Sequence, residues 1–173
     1  IGSQIVRLGR LEVDLEGLRD FLVEAKRNSY VGNGEEQIAE DGSKILTFQN
    51  GDFHYTDNYA GFYQFNGTEI VRWQQPNGQR IWQMSYRGGM LPAFISDQEL
   101  SKRMYSFLKK ALLNIVRVEP FRGLEGELFG EGDFLYQTES TRDIKRFKGR
   151  EWIIHELDRI YELNFLGGLI TPK

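Results

Sequence analysis

Cysteine is absent from this 173-residue chain, which removes disulfides, iron–sulfur clusters, thiolate zinc sites and cysteine nucleophiles. Histidine is nearly absent: His54 and His155 are the only two, too few for a histidine-rich metal centre. No metal and no cofactor is expected, a carboxylate site being the one kind these counts leave open. No apolar run approaches the roughly 20 residues of a membrane-spanning helix, and no basic-then-apolar leader opens the chain. A cytoplasmic protein with no membrane partner is the expectation. Excess positive charge is lacking too. The net charge is −3 and no basic run stands out, so direct nucleic-acid binding is not expected.

What is present is an ordinary globular composition, 40% hydrophobic and 27% charged, with a raised aromatic content of 13%. The aromatics gather in two stretches that match each other. Gly51-Asp52-Phe53-x-Tyr55 recurs as Gly132-Asp133-Phe134-x-Tyr136, and Phe65-x-Gly67-x-Glu69 as Phe147-x-Gly149-x-Glu151. Arg80-Ile81-Trp82-x-Met84-x-Tyr86-x-Gly88-Gly89 recurs as Arg159-Ile160-Tyr161-x-Leu163-x-Phe165-x-Gly167-Gly168. Upstream, Phe21-Leu22 matches Phe107-Leu108. The ordered series reads as a tandem duplication, with one unit over residues 1–92 and the other over 93–173.

Each unit reads as a helix followed by antiparallel strands. Leu15, Leu18, Leu22 and Ala25 form the first apolar stripe, with Asp14 as its N-cap. Leu100, Met104, Phe107, Leu108, Ala111, Leu112 and Ile115 form the second. Ser96 to Glu99 has the spacing of a capping box, and Pro120 lies past the helix end. Alternation puts Trp82, Met84 and Tyr86 on one strand face, and Tyr161, Leu163 and Phe165 on another. Asn77-Gly78 predicts a hairpin turn, as does Leu157-Asp158, while residues 31–44 read as a long polar loop. Together these predict an α+β fold: two helix-plus-antiparallel-sheet units, pseudo-twofold, fused into one compact body. The glycine pairs predict positive φ or close backbone approach, not a phosphate loop.

Glu69 and Glu151 admit two readings. With regular alternation each carboxylate shares an aromatic face, which needs buried donors or a cationic ligand. With bulges at Gly67 and Gly149 each faces solvent or pairs with Arg72, Arg80, Arg150 or Arg159. His54 is expected to point to solvent, and His155 to be half-buried. No nucleophile elbow or triad order is visible, so no catalytic residue is assigned and an enzyme is not the favoured reading.

The GDF-x-Y, F-x-G-x-E and I-W-x-M-x-Y-x-G-G residues resemble a family of uncharacterised bacterial and archaeal domains. Some of those lie C-terminal to a helix-turn-helix domain of transcription regulators. The resemblance spans about residues 18 to 170 and implies a sensory, regulator-associated role; no helix-turn-helix is seen here. The leading expectation is a small-molecule-binding or sensory module with an aromatic cleft near Glu69 or Glu151, walled by Tyr55, Trp82 and Tyr86. A protein-interaction module acting through a sheet face or edge is the alternative, and a hydrolase is third.

Overall fold

The computed structural model describes residues 4–31, 35–115 and 128–173. A small hairpin comes first, β1 (Ile5–Leu8) and β2 (Leu11–Asp14), followed by helix α1 (Leu15–Val31). Next are β3 (Glu35–Ile38), β4 (Lys44–Asn50), β5 (Phe53–Gly61), β6 (Gln64–Trp73) and β7 (Arg80–Met90). Helix α2 (Gln98–Ile115) then leads to β8 (Leu128–Glu131), β9 (Phe134–Ser140), β10 (Arg146–His155) and β11 (Asp158–Leu169). The fold is α+β: β3 to β11 form one antiparallel sheet in the order β3-β4-β5-β6-β7-β11-β10-β9-β8. The centre of the sheet is the β7–β11 pair, where Tyr86 lies opposite Phe165.

Both helices cover the same face of this sheet, α1 over β4 and β5 and α2 over β8 and β9, and they touch each other. Their apolar stripes explain why. All seven residues expected on the α2 stripe are buried, as are Leu15, Leu18, Phe21, Leu22 and Ala25 of α1. The strands answer with Trp82, Met84, Tyr86, Tyr161, Leu163 and Phe165, all buried on the inner face. Gln83, Ser85, Glu162 and Asn164 alternate onto the outer face, where they are at least partly exposed.

The recurring F-x-G glycines have a packing cause. Gly67 lies between Tyr59 and Tyr86 in the sheet register, and the Tyr86 ring lies flat across it. A Cβ on Gly67 would sit 2.1 Å from the ring's Cζ. In the same way Phe165 crosses Gly149, where a Cβ would lie 2.3 Å from its Cζ and 2.7 Å from the Glu139 carbonyl oxygen. The expected result for Gly149→Ala is a loss of about 1–3 kcal/mol or more, because backbone as well as ring must yield. Chemical denaturation would measure it; a change below about 0.5 kcal/mol would show that the ring does not need the glycine.

Four local expectations are corrected. Asp97, not Ser96, caps α2: its Oδ1 accepts from the Leu100 amide at 2.9 Å. The left-handed residue of the β6–β7 hairpin is Gln74 (φ 62), not Asn77 or Gly78; the six-residue connection is closed by Trp73 N donating to Gln79 O at 2.9 Å. The polar stretch 31–44 contains β3, which pairs with β4 from Glu35↔Thr47 to Ile38↔Lys44. His54 is only 7% exposed; burial, then the nearby positive charge of Arg72, holds its pKa below the usual imidazole value. Two further local assignments agree with the structure. Asp14 Oδ1 accepts from the Glu16 amide at 3.2 Å, and β10 turns into β11 through Glu156 (φ 57) and Leu157. Pro120 lies outside the described residues.

Candidate functional site

The register of β6 decides where the two glutamates go. Its irregularity falls between Val71 and Arg72, and that of β10 between Ile153 and Ile154, both after the glutamate. No bulge intervenes at Gly67 or Gly149, so both carboxylates stay on the inner face. Glu69 is 2% exposed and Glu151 is 0% exposed. The reading that sends them to solvent is therefore overturned. The arginines go elsewhere: Arg150 pairs with Glu139 and Arg159 with Glu162.

Each buried carboxylate has its own solution to the cost of desolvation. Glu69 Oε2 lies 3.1 Å from the Nζ of Lys26, whose side chain is equally buried. Lys26 comes from α1, one turn beyond Leu22, so the apolar stripe itself carries the cation inward. Glu151 accepts hydrogen bonds from two phenols, Tyr136 at 2.6 Å and Tyr161 at 2.8 Å. Lys26 was missed by the sequence reading. Its signal was available: it continues the i+4 row of Leu18 and Leu22 into the core.

Immediately beside Glu69 the inner face opens. Asp57 of β5 lies opposite Glu69 in the register, and its Oδ1 accepts from the Tyr86 hydroxyl at 2.7 Å. Tyr86 reaches it from β7 by crossing β6 over Gly67, which is the chemical use of the first F-x-G. Above this pair runs a groove of about 550 Å³ between the two helices and strands β3 to β7. Tyr59, Phe62, Phe65, Tyr86 and Tyr105 supply its aromatic lining, and Leu46, Leu108 and Leu112 its aliphatic one. The rings brace one another: Phe62 lies 5.2 Å from Tyr105, and Phe65 lies 6.1 Å from Tyr86. The Tyr105 hydroxyl donates to the Phe62 carbonyl, which ties α2 to the β5–β6 turn.

Four charged side chains line the groove, Glu36, Lys44, Asp57 and Lys109. Glu36 pairs with Lys44 at 3.1 Å and accepts from the Tyr59 hydroxyl at 3.3 Å. Burial, then the negative charges of Glu36 and Asp57 and the bond to Glu36, push the Tyr59 phenol up to about 12. Tyr59 thus remains a neutral donor across the biological pH range.

Of the five residues singled out from sequence, Tyr86 lines the groove and Glu69 lies next to its floor. Tyr55 (1% exposed) and Trp82 (0%) are packed inside, with the Trp82 ring stacked on Phe147 and its Nε1 donating to the Ile144 carbonyl. Glu151 lies in the other half of the sheet, away from this groove. The residues that sequence reasoning did not single out are Asp57, Tyr59, Phe62, Phe65 and Tyr105 as one set. They come from β5, β6, the turn between them, and α2, and only the cross-strand register unites them.

Among the described residues one mixed cluster has metal-ligand chemistry: Asp133, His155 and Glu156. Asp133 is already engaged there. Both of its oxygens accept from Arg103 at 3.2 Å, and His155 Nε2 lies 2.8 Å from Oδ2. A guanidinium on the carboxylate is a poor neighbour for a divalent ion, so this cluster reads as an ion-pair network. No helix is long and apolar enough to cross a membrane among the described residues.

No curated protein and no solved structure shows significant similarity to this chain. A family match covers residues 57–170, from Asp57 within β5 through β11, including both glutamates and the groove's floor. By that match the chain belongs to the family described as domain of unknown function DUF5680.

Proposed function

We propose that the protein is a small-molecule-binding module whose site is the aromatic groove over Asp57 and Tyr86. The observation that carries this reading is a carboxylate held by a phenol at the floor of a groove walled with aromatic rings. Its volume suits a drug-sized ligand, for which roughly 300–1,000 Å³ is usual. Ring faces attract cations, and Asp57 adds a formal negative charge, so the ligand class is a flat apolar molecule bearing a cationic group. Tyr86 and Glu69, singled out from sequence, belong to this proposal as wall and supporting charge. Tyr55 and Trp82 enter it only as packed core, and Glu151 stands in the other half of the sheet.

The duplication into units 1–92 and 93–173 is proposed alongside. It is supported by the strand order, which runs in reverse chain order outward from β7 (to β3, five strands) and from β11 (to β8, four strands), and by the paired Gly67–Tyr86 and Gly149–Phe165 packing. The units diverge at the site. Thr138 occupies opposite Glu151 the place that Asp57 occupies opposite Glu69, and Phe165 has no hydroxyl to match that of Tyr86. One aromatic groove of this kind per chain follows. A sensory role associated with transcription regulators, suggested by the sequence resemblance, fits a binding module with no assigned catalytic group.

A thermal-shift experiment with proflavine, a flat aromatic cation, tests the site. Stabilisation of about 2.7 kcal/mol is expected at a hundred times Kd, with affinity about tenfold weaker in Asp57→Asn. Benzoate, an anionic ring, is expected to give none. Equal stabilisation of wild type and of an Asp57→Asn, Phe65→Ala double variant would overturn the assignment. A second reading, docking of a partner protein at a sheet edge, draws on Ile38 of β3 (73% exposed) and Leu128 of β8 (62% exposed).

A further inference from the structure

The outer face of the sheet carries a feature independent of the groove. β10 alternates strictly up to its irregularity: Phe147, Glu151 and Ile153 point inward and are buried, while Arg146, Lys148 and Arg150 are exposed on the outside. Alternate residues of a strand stand about 7 Å apart, so the three cations form a row. Along that row the surface is hollowed. A concavity of about 740 Å³ is lined by Arg146 and Lys148 together with Lys145, Gln83, Ser85 and Leu166. A second hollow of about 550 Å³ adjoins it, sharing Lys148 and Thr141.

The charges in the first hollow are not neutralised. Among the described residues no carboxylate pairs with Lys145, Arg146 or Lys148, whereas the next cation in the row, Arg150, is paired with Glu139. Leu166, 65% exposed, offers an apolar surface beside them. Gly167 and Gly168 put no side chain between Leu166 and the floor.

We propose that this hollow binds a compact phosphate-bearing molecule, with a di- or triphosphate bridging Arg146 and Lys148 and an apolar or aromatic body over Leu166. Two cations about 7 Å apart with a third at the rim match several linked phosphates better than one carboxylate. A long polyanion is disfavoured by what flanks the row. Glu139 neutralises one end of it, and at the other the exposed Asp143 accepts from the Lys145 amide. The positive stretch is one small ligand long.

Titration calorimetry of the full chain with ADP at low salt tests this. The expected result is saturable one-to-one binding that weakens as salt is added. Arg146→Gln and Lys148→Gln are each expected to weaken it by about tenfold. Adenosine, with the body but no phosphate, is expected not to bind, and pyrophosphate to bind more weakly than ADP. Both substitutions are at exposed positions, so the variants are expected to keep the wild-type melting temperature. No ADP binding at millimolar concentration, unchanged affinity in the double variant, or equal binding of adenosine would overturn the proposal. Binding of a fifteen-residue oligothymidylate without binding of ADP would overturn it in favour of a polymer surface. Proflavine binding in the groove is expected to be unaffected by the Arg146 and Lys148 substitutions, which keeps the two sites experimentally separate.

Discussion

Lys26→Met is expected to lower the melting temperature by roughly 10 °C. The substitution removes the cation 3.1 Å from Glu69 and leaves that carboxylate inside the protein, where it is 2% exposed. Breaking one side of a buried pair costs about 3–5 kcal/mol, mostly because the surviving charge has lost its compensation. At this chain length about 1 kcal/mol corresponds to roughly 2–4 °C. Glu69→Met is expected to cost a similar amount for the mirror-image reason. The double variant Lys26→Met, Glu69→Met is expected to recover most of the loss, since a well-packed apolar pair replaces an ion pair that carried a large desolvation penalty. Neither Lys26 Nζ nor Glu69 Oε2 makes a well-aligned hydrogen bond, so attraction between the charges is what the pair supplies. If the double variant loses the sum of the two single losses, the charges are not coupled and this account of Glu69 fails.

The second large effect is expected at Glu151, which relies on phenols. Tyr136→Phe and Tyr161→Phe each delete one hydrogen bond to a buried carboxylate, at 2.6 and 2.8 Å. Each is expected to cost about 1.5–3 kcal/mol, the range for hydrogen bonds to charged groups. Together they are expected to be non-additive, because both hydroxyls serve the same buried carboxylate. The control is Glu151→Leu. In that background each Tyr→Phe change is expected to cost less than in the wild type, because the bond to the carboxylate is no longer there to lose. Denaturant melts of the eight-member variant set give the coupling directly. Equal Tyr→Phe costs with and without Glu151 would show that the hydroxyls serve some other partner.

Much of the framework was legible because it follows from period and sterics. The α2 stripe is seven residues at helical spacing, and all seven are buried. The β7 and β11 faces follow from strict alternation of large apolar and polar residues, and the two-residue β10–β11 turn from the short break in that alternation around Leu157 and Asp158. The capping residue of α2 was misplaced by one, since Ser96 and Asp97 are both good caps and only the Leu100 amide decides between them. The β3 strand was hidden because an edge strand shows one side of its backbone and has little apolar content to alternate.

The candidate site was legible in chemistry but not in membership. Aromatic surplus and a repeated inward glutamate were visible in the first unit. That the groove uses Asp57 was not, because Asp57 reads as one polar residue among Thr56, Asp57 and Asn58. Its role depends on Tyr86 crossing a strand above Gly67, a contact between residues 29 apart. Lys26 was missed for the same reason, since a lysine in a helix usually bends out to solvent. Its partner lies on a strand 43 positions further along the chain.

The claim at the centre of this account is that a small molecule enters between the helices and lies over Asp57 and Tyr86. The most direct test is chemical-shift mapping of side-chain aromatic signals while proflavine is titrated into the labelled protein. The account predicts saturable shifts at Tyr59, Phe65, Tyr86 and Tyr105, which line the groove. It also predicts no movement at Tyr136 and Trp152, on the far side of the sheet from β5. Shifts confined to the β10 half, or none at the four groove rings while the ligand demonstrably binds, would contradict it.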